Sequence, residues 1–493
     1  MRTSTYFKYL LPICFFALLG SACKKGWLDE TPSSQIRADQ QFETEGGFRD
    51  ALIGVYIGMT QPGYYSREMS WNIVDRLAMM YAPYAASNIY SEFQNYNYKA
   101  TTSRSFIDNM WNYAYTDIAN INNALKYIDE RKQILDPINY NLIKGELLAL
   151  RAYIHFDLVR LFGHSNFAGR PELAGKLAIP YATEYGKKIA PQLSYTDLFT
   201  KLEGDVNAAL ELLKKDDPIY AGNQHPKAYY SYVNSDGFYN NRNLRMNYYA
   251  ALALKARLLQ WQGSAAKMAA ARDAANEVIQ YAPAKLITNA PSGNTVLRGE
   301  DLFSLNVQAF NNLTDNFLTA TDATNTFAVF MLQANAEELY ETSQPEIGLA
   351  DYRFNTMTSL QMRGRVPVKL RQDANSFDSR NRIPLIRISE MYYIAAEDYK
   401  QTNKAKAIEY LNTVRQARGI LKDIAASASS DDIQTEITKE YRKEFVSEGQ
   451  LFYYYKRRGF TTFPGLSAGK VANDELYMLP YPDNEIEFGG RVQ

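Results

Sequence analysis

The clearest secondary-structure signal is ELLALRAYIHFDLVRLF at residues 146–162. Apolar residues recur there at steps of three and four, as at Leu147, Leu150 and Ile154, and this is the period of an α-helix. Ala, Tyr and Phe fill the other faces of the same helix. A helix that is apolar on most sides is buried on most sides. The pattern therefore predicts a buried helix over residues 138–162 and a mainly α-helical protein.

Two pairs of helices are predicted further along the chain. The first pair covers residues 245–262 and 264–281, and the second covers residues 387–402 and 404–418. Asn403 can cap the last of these helices, because its side chain accepts a backbone amide hydrogen at a helix start.

The two pairs are similar to each other when Gly263 is aligned with Asn403. Ala256 then corresponds to Ala396, and such small residues let antiparallel helices approach closely. Gly419 follows the second pair, where a left-handed helix cap is favoured. Units of about 34 residues with this plan are typical of tetratricopeptide (TPR) repeats. We expect a few TPR-like pairs to form a scaffold; generic helical hairpins are the alternative.

Tyrosine-rich segments lie between the predicted helices. The chain has 38 Tyr but only 4 Trp. Residues 61–104 and 220–243 interleave Tyr and Phe with Asn, Gly and Ser, and residues 284–336 are rich in Thr and Asn. This composition indicates loops or short strands. Long ordered loops in a compact protein are usually functional, so we expect the ligand-binding face to be built from these segments.

The loop tyrosines are candidates for binding a sugar. A sugar presents flat C–H faces ringed by hydroxyls, and a Tyr ring can cover the first while Asn, Asp and Arg meet the second. The alternative for each aromatic residue is that it packs its loop against the scaffold. The candidates, chosen by region and by their neighbours, are Trp71, Tyr81, Tyr84, Tyr96, Tyr98, Tyr230, Tyr232 and Tyr239.

Composition excludes several classes of function. The 493 residues include 54 Lys and Arg against 54 Asp and Glu, and this balance argues against a nucleic-acid partner, which favours a net basic surface. The chain has only three His and two Cys, too few to make a His/Cys metal cluster a reasonable expectation. We expect no metal and no cofactor. A neutral ligand such as an oligosaccharide needs no charged field and agrees with the balance.

The N-terminus has the pattern of an export signal. A short positive start is followed by an apolar run at residues 9–19, which is too short to cross a bilayer as a helix. Gly20, Ser21 and Ala22 then precede Cys23, and small residues before a Cys are typical of a lipoprotein cleavage site. We expect Cys23 to be acylated. The alternative is an ordinary secretory signal cut near Ala22.

Lipidation at Cys23 would anchor the protein to a membrane without a transmembrane helix, since each buried CH₂ of an acyl chain contributes about 0.8 kcal/mol. The predicted organisation has three parts. They are a signal peptide at 1–22, the lipidated Cys with an N-terminal tether at 23–45, and a single domain at 46–493.

No catalytic motif in the sequence meets the structural requirements of its enzyme class. Residues 465–469 fit G-x-S-x-G, but a nucleophile elbow needs a strand before it, a helix after it and a His later in the chain. All three His precede Ser467. His155 falls in the predicted buried helix, where a core histidine is the simpler interpretation than a catalytic base. We therefore expect a binding protein and not an enzyme.

Six short motifs follow one another along the chain. In order, they are CKKGWLDETP at 23–32, RAYIHFDLVRLFG at 151–163, PLIRISEMYYIAAE at 384–397, LNTVRQARG at 411–419, EFVSEGQLFYYYKRRG at 444–459, and Leu479-Pro480 before Asn484-Glu485-Ile486. This succession resembles the SusD/RagB family of outer-membrane nutrient-binding lipoproteins. Two departures stand out. The first is in the motif at 444–459, where Leu451 and Tyr454 occupy places at which the family usually has an Arg and an Asp. The second follows Cys23, where the family has an acidic export signal but this chain has Lys24 and Lys25.

This resemblance implies a SusD-like fold of TPR-like helix pairs with a loop-rich ligand face. It also implies a partner, a SusC-like TonB-dependent transporter barrel in the outer membrane, with the lipid-anchored protein facing the cell exterior. The expected function is to capture an extracellular oligosaccharide and deliver it to that barrel. A peptide-binding member of the same family, a TPR scaffold that binds only protein, and a hydrolase are the alternatives.

Overall fold

A computed structural model describes residues 38–223, 225–288, 293–321, 324–372 and 380–493. Helices dominate the fold, which confirms the predicted mainly α-helical class. Eleven described helices have eight or more residues: α1 Glu45–Met59, α2 Thr101–Glu130, α3 Pro137–Phe162, α4 Tyr195–Asp216, α5 Tyr248–Gln262, α6 Ala265–Tyr281, α7 Gln333–Tyr340, α8 Ile388–Thr402, α9 Lys404–Ala417, α10 Ser430–Glu444 and α11 Gln450–Arg458.

Shorter helical turns connect these helices. The α-helical ones are Ala38–Gln41, Ile73–Leu77, Ser91–Gln94, Asn311–Thr314, Tyr352–Asn355, Asp474–Tyr477 and Asp483–Glu487. The 3₁₀ turns are Lys132–Ile134, Phe167–Gly169, Pro171–Leu173, Lys227–Tyr230 and Arg242–Leu244, and Pro345–Leu349 is a π turn. The segment 61–104, every residue of which is described, contains turns, two of these short helices and the start of α2, and it contains no strand.

Local side chains explain where the long helices begin. Asp136 caps α3 by accepting the Ile138 amide at 2.8 Å, and Pro137 takes the first helical position, where its missing N–H costs nothing. Asn403 caps α9 by accepting the Lys406 amide at 3.1 Å, as the sequence predicts. These contacts satisfy amide groups that have no partner inside the helix.

Gly263 explains the tight corner between α5 and α6. Its φ of +70° is the left-handed conformation that favours glycine, and a Cβ there would stand 2.3 Å from Cβ of Ala168. Ser264 then caps α6. The corner therefore needs a residue with no side chain, and the break predicted at Gly263 is confirmed.

The long helices pack against one another in chain order. Helix α3 packs on α2 and α4, α4 packs on α5, α6 packs on α5 and α8, and α8 packs on α9. Nearly every residue of α3 is buried, which confirms the helix predicted over 138–162. Both predicted pairs are present, as α5 with α6 and α8 with α9. Their assignment to TPR-like repeats stays a prediction.

Strands are short and lie in three antiparallel pairs among the described residues. They are β1 Leu177–Pro180 with β2 Gln192–Ser194, β3 Asp301–Asn306 with β6 Arg382–Arg387, and β4 Thr358–Gln361 with β5 Gly364–Pro367. The pairing of β3 with β6 aligns Asp301 with Arg387. Because β6 leads directly into α8, this pair ties the irregular segment before β3 to the helical scaffold.

A buried ion network joins β6 to α10. Glu444 accepts hydrogen bonds from Arg387 at 2.6 Å, from Arg418 at 2.6 Å and from Arg353 at 2.8 Å. These guanidinium groups hold the pKa of Glu444 well below its usual range. Glu300, just before β3, accepts from Arg418 at 2.8 Å and from Arg387 at 3.0 Å. Removing one member would leave its buried partners with an unbalanced charge.

The predicted signal peptide and Cys23 lie outside the described residues. Phe42, near the end of the predicted tether at 23–45, is buried and its ring lies 4.8 Å from that of Phe48 and 5.1 Å from that of Tyr127. Within the described ranges, no helix combines the length and the apolar character needed to cross a membrane.

Candidate ligand-binding site

A cavity of about 590 Å³ opens between the loop before α5 and the segment before β3. The loop side contributes tyrosine rings and asparagine amides, and the opposite side contributes Pro283, Ala284 and the start of β3. The residues on which the chemistry of the cavity depends are Tyr230, Asn234, Tyr239, Asn240, Asn243 and Arg298. Five of these six fall in the predicted binding segment 220–243, and two of them, Tyr230 and Tyr239, are predicted individually.

Buried ion pairs fix the loop beneath the cavity. Arg242 donates to Asp217 at 2.7 Å and also pairs with Glu146 of α3. Arg245 donates to the other oxygen of Glu146 at 2.8 Å. The two carboxylates raise the pKa of Arg242 well above its usual value, so it stays charged. Because all its bonds go to these carboxylates, Arg242 shapes the floor and is not available to a ligand.

Tyr239 is the anchor of the loop. Its hydroxyl donates to Oδ1 of Asn139 on α3 at 2.5 Å, and its ring lies edge-on to Phe238 at 4.8 Å. Phe238 is covered in turn by the guanidinium of Arg49 at 4.1 Å. Tyr239 is only 3% exposed, so it supplies part of the cavity wall through its edge and not a free ring face.

Tyr230 is the predicted aromatic residue best placed to meet a ligand. It is half-buried, lines the cavity and holds its ring at 89° to Tyr229 at 5.2 Å. Its hydroxyl contacts the side chain of Asn223, and burial raises its pKa to about 12, so the hydroxyl stays protonated. Tyr232 is 59% exposed and lies outside the cavity lining.

Asparagine amides supply polar groups beside the Tyr230 ring. Asn234 is committed to the loop, since it accepts the Tyr239 amide at 2.7 Å and donates to Oδ1 of Asn240 at 2.9 Å. The amide NH₂ of Asn240 and the side chain of Asn243 make no hydrogen bond with any described residue. They are therefore free to exchange hydrogen bonds with hydroxyl groups of a ligand.

The other predicted aromatic residues pack their loop against the scaffold. Trp71, Tyr81, Tyr84 and Tyr98 are buried, and Tyr96 is half-buried. Their polar atoms also form hydrogen bonds within the protein. The Trp71 indole donates to the carbonyl of Ser66, and the Tyr81 hydroxyl to the carbonyl of Trp71 and to Asp75. The hydroxyls of the other three tyrosines donate to backbone carbonyls, Tyr84 to that of Phe327, Tyr96 to that of Leu77 and Tyr98 to that of Leu476. With their polar atoms bonded, and with none of them lining the cavity, these five side chains do not belong to the candidate site. The packing alternative describes them.

Of the two tyrosine-rich segments, only 220–243 contributes residues to the lining of this cavity. Contacts of segment 61–104 run to residues such as Phe317, Phe327 and Ser447. Contacts of segment 220–243 run to α3. Four of the six polar and aromatic residues named for the cavity are not predicted individually from the sequence, namely Asn240, Asn243, Asn234 and Arg298. An Asn-rich run at 240–243 was a usable signal for the first two, whereas nothing in the local sequence singles out Arg298.

His155 and Ser467, the two residues considered for catalysis, are placed where they have structural surroundings and no catalytic partners among the described residues. His155 is buried, its ring stacks on Tyr181 at 4.0 Å, its Nδ1 donates to Arg151 O at 2.8 Å and its Nε2 accepts the Ala182 amide at 3.0 Å. Burial lowers its pKa to about 3, so it is neutral, as the core-histidine interpretation requires. Ser467 sits between glycines in a turn. Among the described residues, no group of three or more His, Cys, Asp or Glu is placed to hold a metal ion.

Two family models match the sequence. Residues 334–488 match the model described as "SusD family". Residues 26–234 match the SusD-like model described as "Starch-binding associating with outer membrane", and this match runs into the loop that lines the cavity.

The chain belongs to the SusD/RagB family. SusD-like proteins are carbohydrate-binding proteins associated with the outer membrane. No match is found among curated proteins.

Solved SusD-like structures have the same fold. A SusD superfamily protein from Bacteroides thetaiotaomicron superposes with a TM-score of 0.68 at 22% identity, over 91% of this chain and 99% of that one. A SusD-like carbohydrate binding protein from Bacteroides vulgatus gives 0.68 at 18% identity, over 90% and 96%. A SusD superfamily protein from Bacteroides vulgatus gives 0.69 at 20% identity, over 91% and 98%. At these identities the likeness shows the fold alone.

The SusD-like C-terminal motif has a structural role in this chain. Leu451 and Tyr454, where the family usually has two charged residues, are both buried. The Tyr454 ring stacks on Tyr441 at 4.3 Å, and its hydroxyl lies 2.7 Å from that of Thr438. Aromatic packing between α10 and α11 therefore occupies this part of the motif.

Proposed function

We propose that this SusD-like protein binds an extracellular oligosaccharide in the cavity beside Tyr230 and delivers it to a SusC-like TonB-dependent transporter. The observation that carries the proposal is the half-buried Tyr230 ring facing a cavity of about 590 Å³ next to the free amides of Asn240 and Asn243. An aromatic ring beside unpaired amides is the chemistry that a sugar needs, an apolar face with hydroxyls at its edge.

Binding in this cavity involves no chemistry on the ligand. The groups around it that could act as a base are committed to ion pairs: Asp217 to Arg242, and Asp301 to Arg382 at 2.9 Å. We infer a capture protein and not an enzyme. The family background of carbohydrate binding supports this inference.

Anchoring is proposed to occur through acylation of Cys23, after removal of residues 1–22. The tether at 23–45 would then hold the domain at 46–493 at the outer face of the outer membrane, over the mouth of the barrel. Tethering raises the effective concentration of captured ligand at the transporter, so that modest affinity suffices. Cys23→Ala should leave the protein unlabelled by fatty-acid analogues, whereas labelling that survives this change would refute the anchor.

A binding screen with variants tests the cavity. The soluble Cys23→Ala protein is titrated against panels of oligosaccharides, and Tyr230→Ala is expected to weaken binding of the selected sugar by tenfold or more. Tyr281→Ala is the matched control, because Tyr281 is a half-exposed tyrosine on α6 outside the cavity lining. Equal binding by both variants would remove the cavity as the site. Selection of peptides over sugars in the same screen would favour a peptide-binding role.

Delivery needs its own test. Co-purification of the lipidated protein with a large outer-membrane barrel encoded beside its gene is the expected result. Recovery of the protein from membranes without any barrel, under conditions that preserve barrel complexes, would contradict the proposed partner.

A further inference from the structure

Arg298 is a cation without an anion at the rim of the cavity. The residue is exposed and lines the cavity, and its guanidinium forms no ion pair with any carboxylate of the described residues. Its backbone amide is held by Oδ1 of Asn294 at 2.8 Å, which fixes the chain at its base. Most arginines elsewhere in the described chain do have a carboxylate partner, as Arg242 of the same cavity has in Glu146, and as Arg382 has in the lining residue Asp301.

The remaining charges of the cavity cancel. Arg242 is held by Glu146 and Asp217, all three being buried. Asp301, also buried, is held by Arg382 at 2.9 Å. Arg298 is therefore the one lining residue, among those described, whose charge is not balanced by a partner.

The position of this charge matters because of what surrounds it. The Tyr230 ring offers an apolar face, and the amides of Asn240 and Asn243 offer hydrogen bonds to hydroxyls. A guanidinium adds two parallel donors in one plane, which fit a carboxylate or a sulfate group bidentately. A ring, amides and an unpaired guanidinium together match one sugar residue that carries an acidic substituent.

We infer that the cavity selects acidic oligosaccharides, with Arg298 pairing with a carboxylate or sulfate group on the sugar that packs against Tyr230. This inference rests on the proposed function and departs from the uncharged ligand that the balanced composition suggests. Arg298 is a specificity-determining residue here: neutral sugars can still use the ring and the amides, but they leave its charge unpaired.

Paired probes test the inference. The Cys23→Ala protein is titrated with oligogalacturonides and with their carboxyl-reduced forms, and with chondroitin sulfate oligosaccharides and their desulfated forms, alongside a panel of neutral plant and microbial oligosaccharides. The acidic member of a pair is expected to bind at least tenfold more tightly than its neutralised form. The carboxylate and sulfate arms distinguish the two sources of negative charge.

Arg298→Gln should abolish this preference. We expect tenfold or greater loss of affinity for the acidic ligand and less than twofold change for the neutralised one, with Arg298→Lys between the wild type and Gln. Raising the salt concentration should weaken binding of the acidic ligand to wild type and have little effect on Arg298→Gln, since ions screen an exposed pair. Lys422→Gln is the control, because it removes one exposed positive charge outside the cavity lining.

The outcomes separate the inference from the function on which it rests. If neutral oligosaccharides bind best and Tyr230→Ala weakens them while Arg298→Gln does not, the sugar site stands and the acidic selectivity is refuted. If acidic ligands bind equally well to Arg298→Gln, the assignment of Arg298 is refuted. If no oligosaccharide of any panel binds, the proposed function itself fails, and the inference fails with it.

Discussion

Asp117 of α2 lies directly against the backbone of Gly58 in α1. A Cβ built on Gly58 would stand 2.1 Å from Oδ1 of Asp117, closer than any real contact. Asp117 is itself buried, and its Oδ2 has no hydrogen-bond partner among the described residues. This contact sets how closely α1 approaches α2, and it places a carboxyl group where water does not reach.

Gly58→Ala is expected to destabilise the protein. Replacing glycine in a helix by alanine normally gains about 1 kcal/mol, but here the added methyl must displace Asp117, and overpacking of this kind costs about 1–3 kcal/mol or more. The net effect on the free energy of unfolding, measured by urea denaturation, should be a loss.

Gly54→Ala is the matched control for that experiment. Gly54 lies one turn earlier in α1, and a Cβ built there meets nothing within 4 Å. The same substitution should therefore stabilise the protein by about 0.5–1 kcal/mol. Similar changes in stability for both variants would show that the close approach to Asp117 is not a constraint.

Asp117 should also make stability fall as the pH rises. Burial raises its pKa to about 8, above the value near 4 that it has in an unfolded chain. The folded state therefore favours the protonated acid, and its contribution, complete below pH 4, is lost as the pH rises towards 8. Asp117→Asn cannot ionise, so its stability relative to wild type should increase by a few kcal/mol between pH 5 and pH 8.5.

Denaturation of wild type and Asp117→Asn at these two pH values measures the effect. Asp50→Asn, which changes an exposed carboxylate on α1, supplies the comparison and should show no such trend. A constant difference between wild type and Asp117→Asn across this range would mean that Asp117 is already ionised in the folded protein.

Glu440 has the opposite dependence on pH. Arg353 at 2.8 Å, with Lys443 and Arg415 nearby, lowers its pKa to about 2 in spite of burial. Its ionised form stabilises the fold above the unfolded pKa of about 4, and this contribution is lost as the pH falls towards 2. Glu440→Gln should cost about 3 kcal/mol or more at pH 7, because it removes one buried negative charge from a network in which Arg353, Lys443 and Arg415 share it, and the cost should shrink at pH 3.

Urea denaturation at pH 7, 4 and 3 follows this cost. Glu409→Gln is the reference, since Glu409 is an exposed carboxylate on α9 whose pair with Lys406 is worth little. A cost for Glu440→Gln that stays the same at every pH would contradict the pairing with Arg353.

The helical frame could be predicted because its signals are local. The apolar period of residues 146–162 fixes α3, Asn403 accepts the amide of Lys406 three positions later, and the amide of Gly263 bonds to the carbonyl of Leu259 four positions earlier. Helices α5, α6, α8 and α9 begin and end within a few residues of the predicted limits for the same reason.

The candidate site could be predicted only in part, because burial of a loop side chain depends on distant partners. Tyr81 contacts Ser447, and Tyr98 donates to the carbonyl of Leu476, each more than 350 positions away in the sequence. No local pattern distinguishes these tyrosines from Tyr230. Arg298 was missed for a related reason, since its lack of an ion pair is a property of its surroundings and not of its neighbours in the chain.

Substitutions at Tyr230 should separate the contribution of its ring from that of its hydroxyl. Tyr230→Phe keeps the apolar face towards the cavity and loses only a hydroxyl that is already bonded to Asn223, so sugar affinity should change less than threefold. Tyr230→Ala removes the face itself, and the loss of ring contacts worth about 1.5–3 kcal/mol corresponds to a tenfold or greater loss of affinity. Isothermal titration of both variants with the sugar selected by wild type measures the difference. If Phe were as damaging as Ala, the hydroxyl and its bond to Asn223 would be the essential feature, and the stacking role of the ring would be refuted.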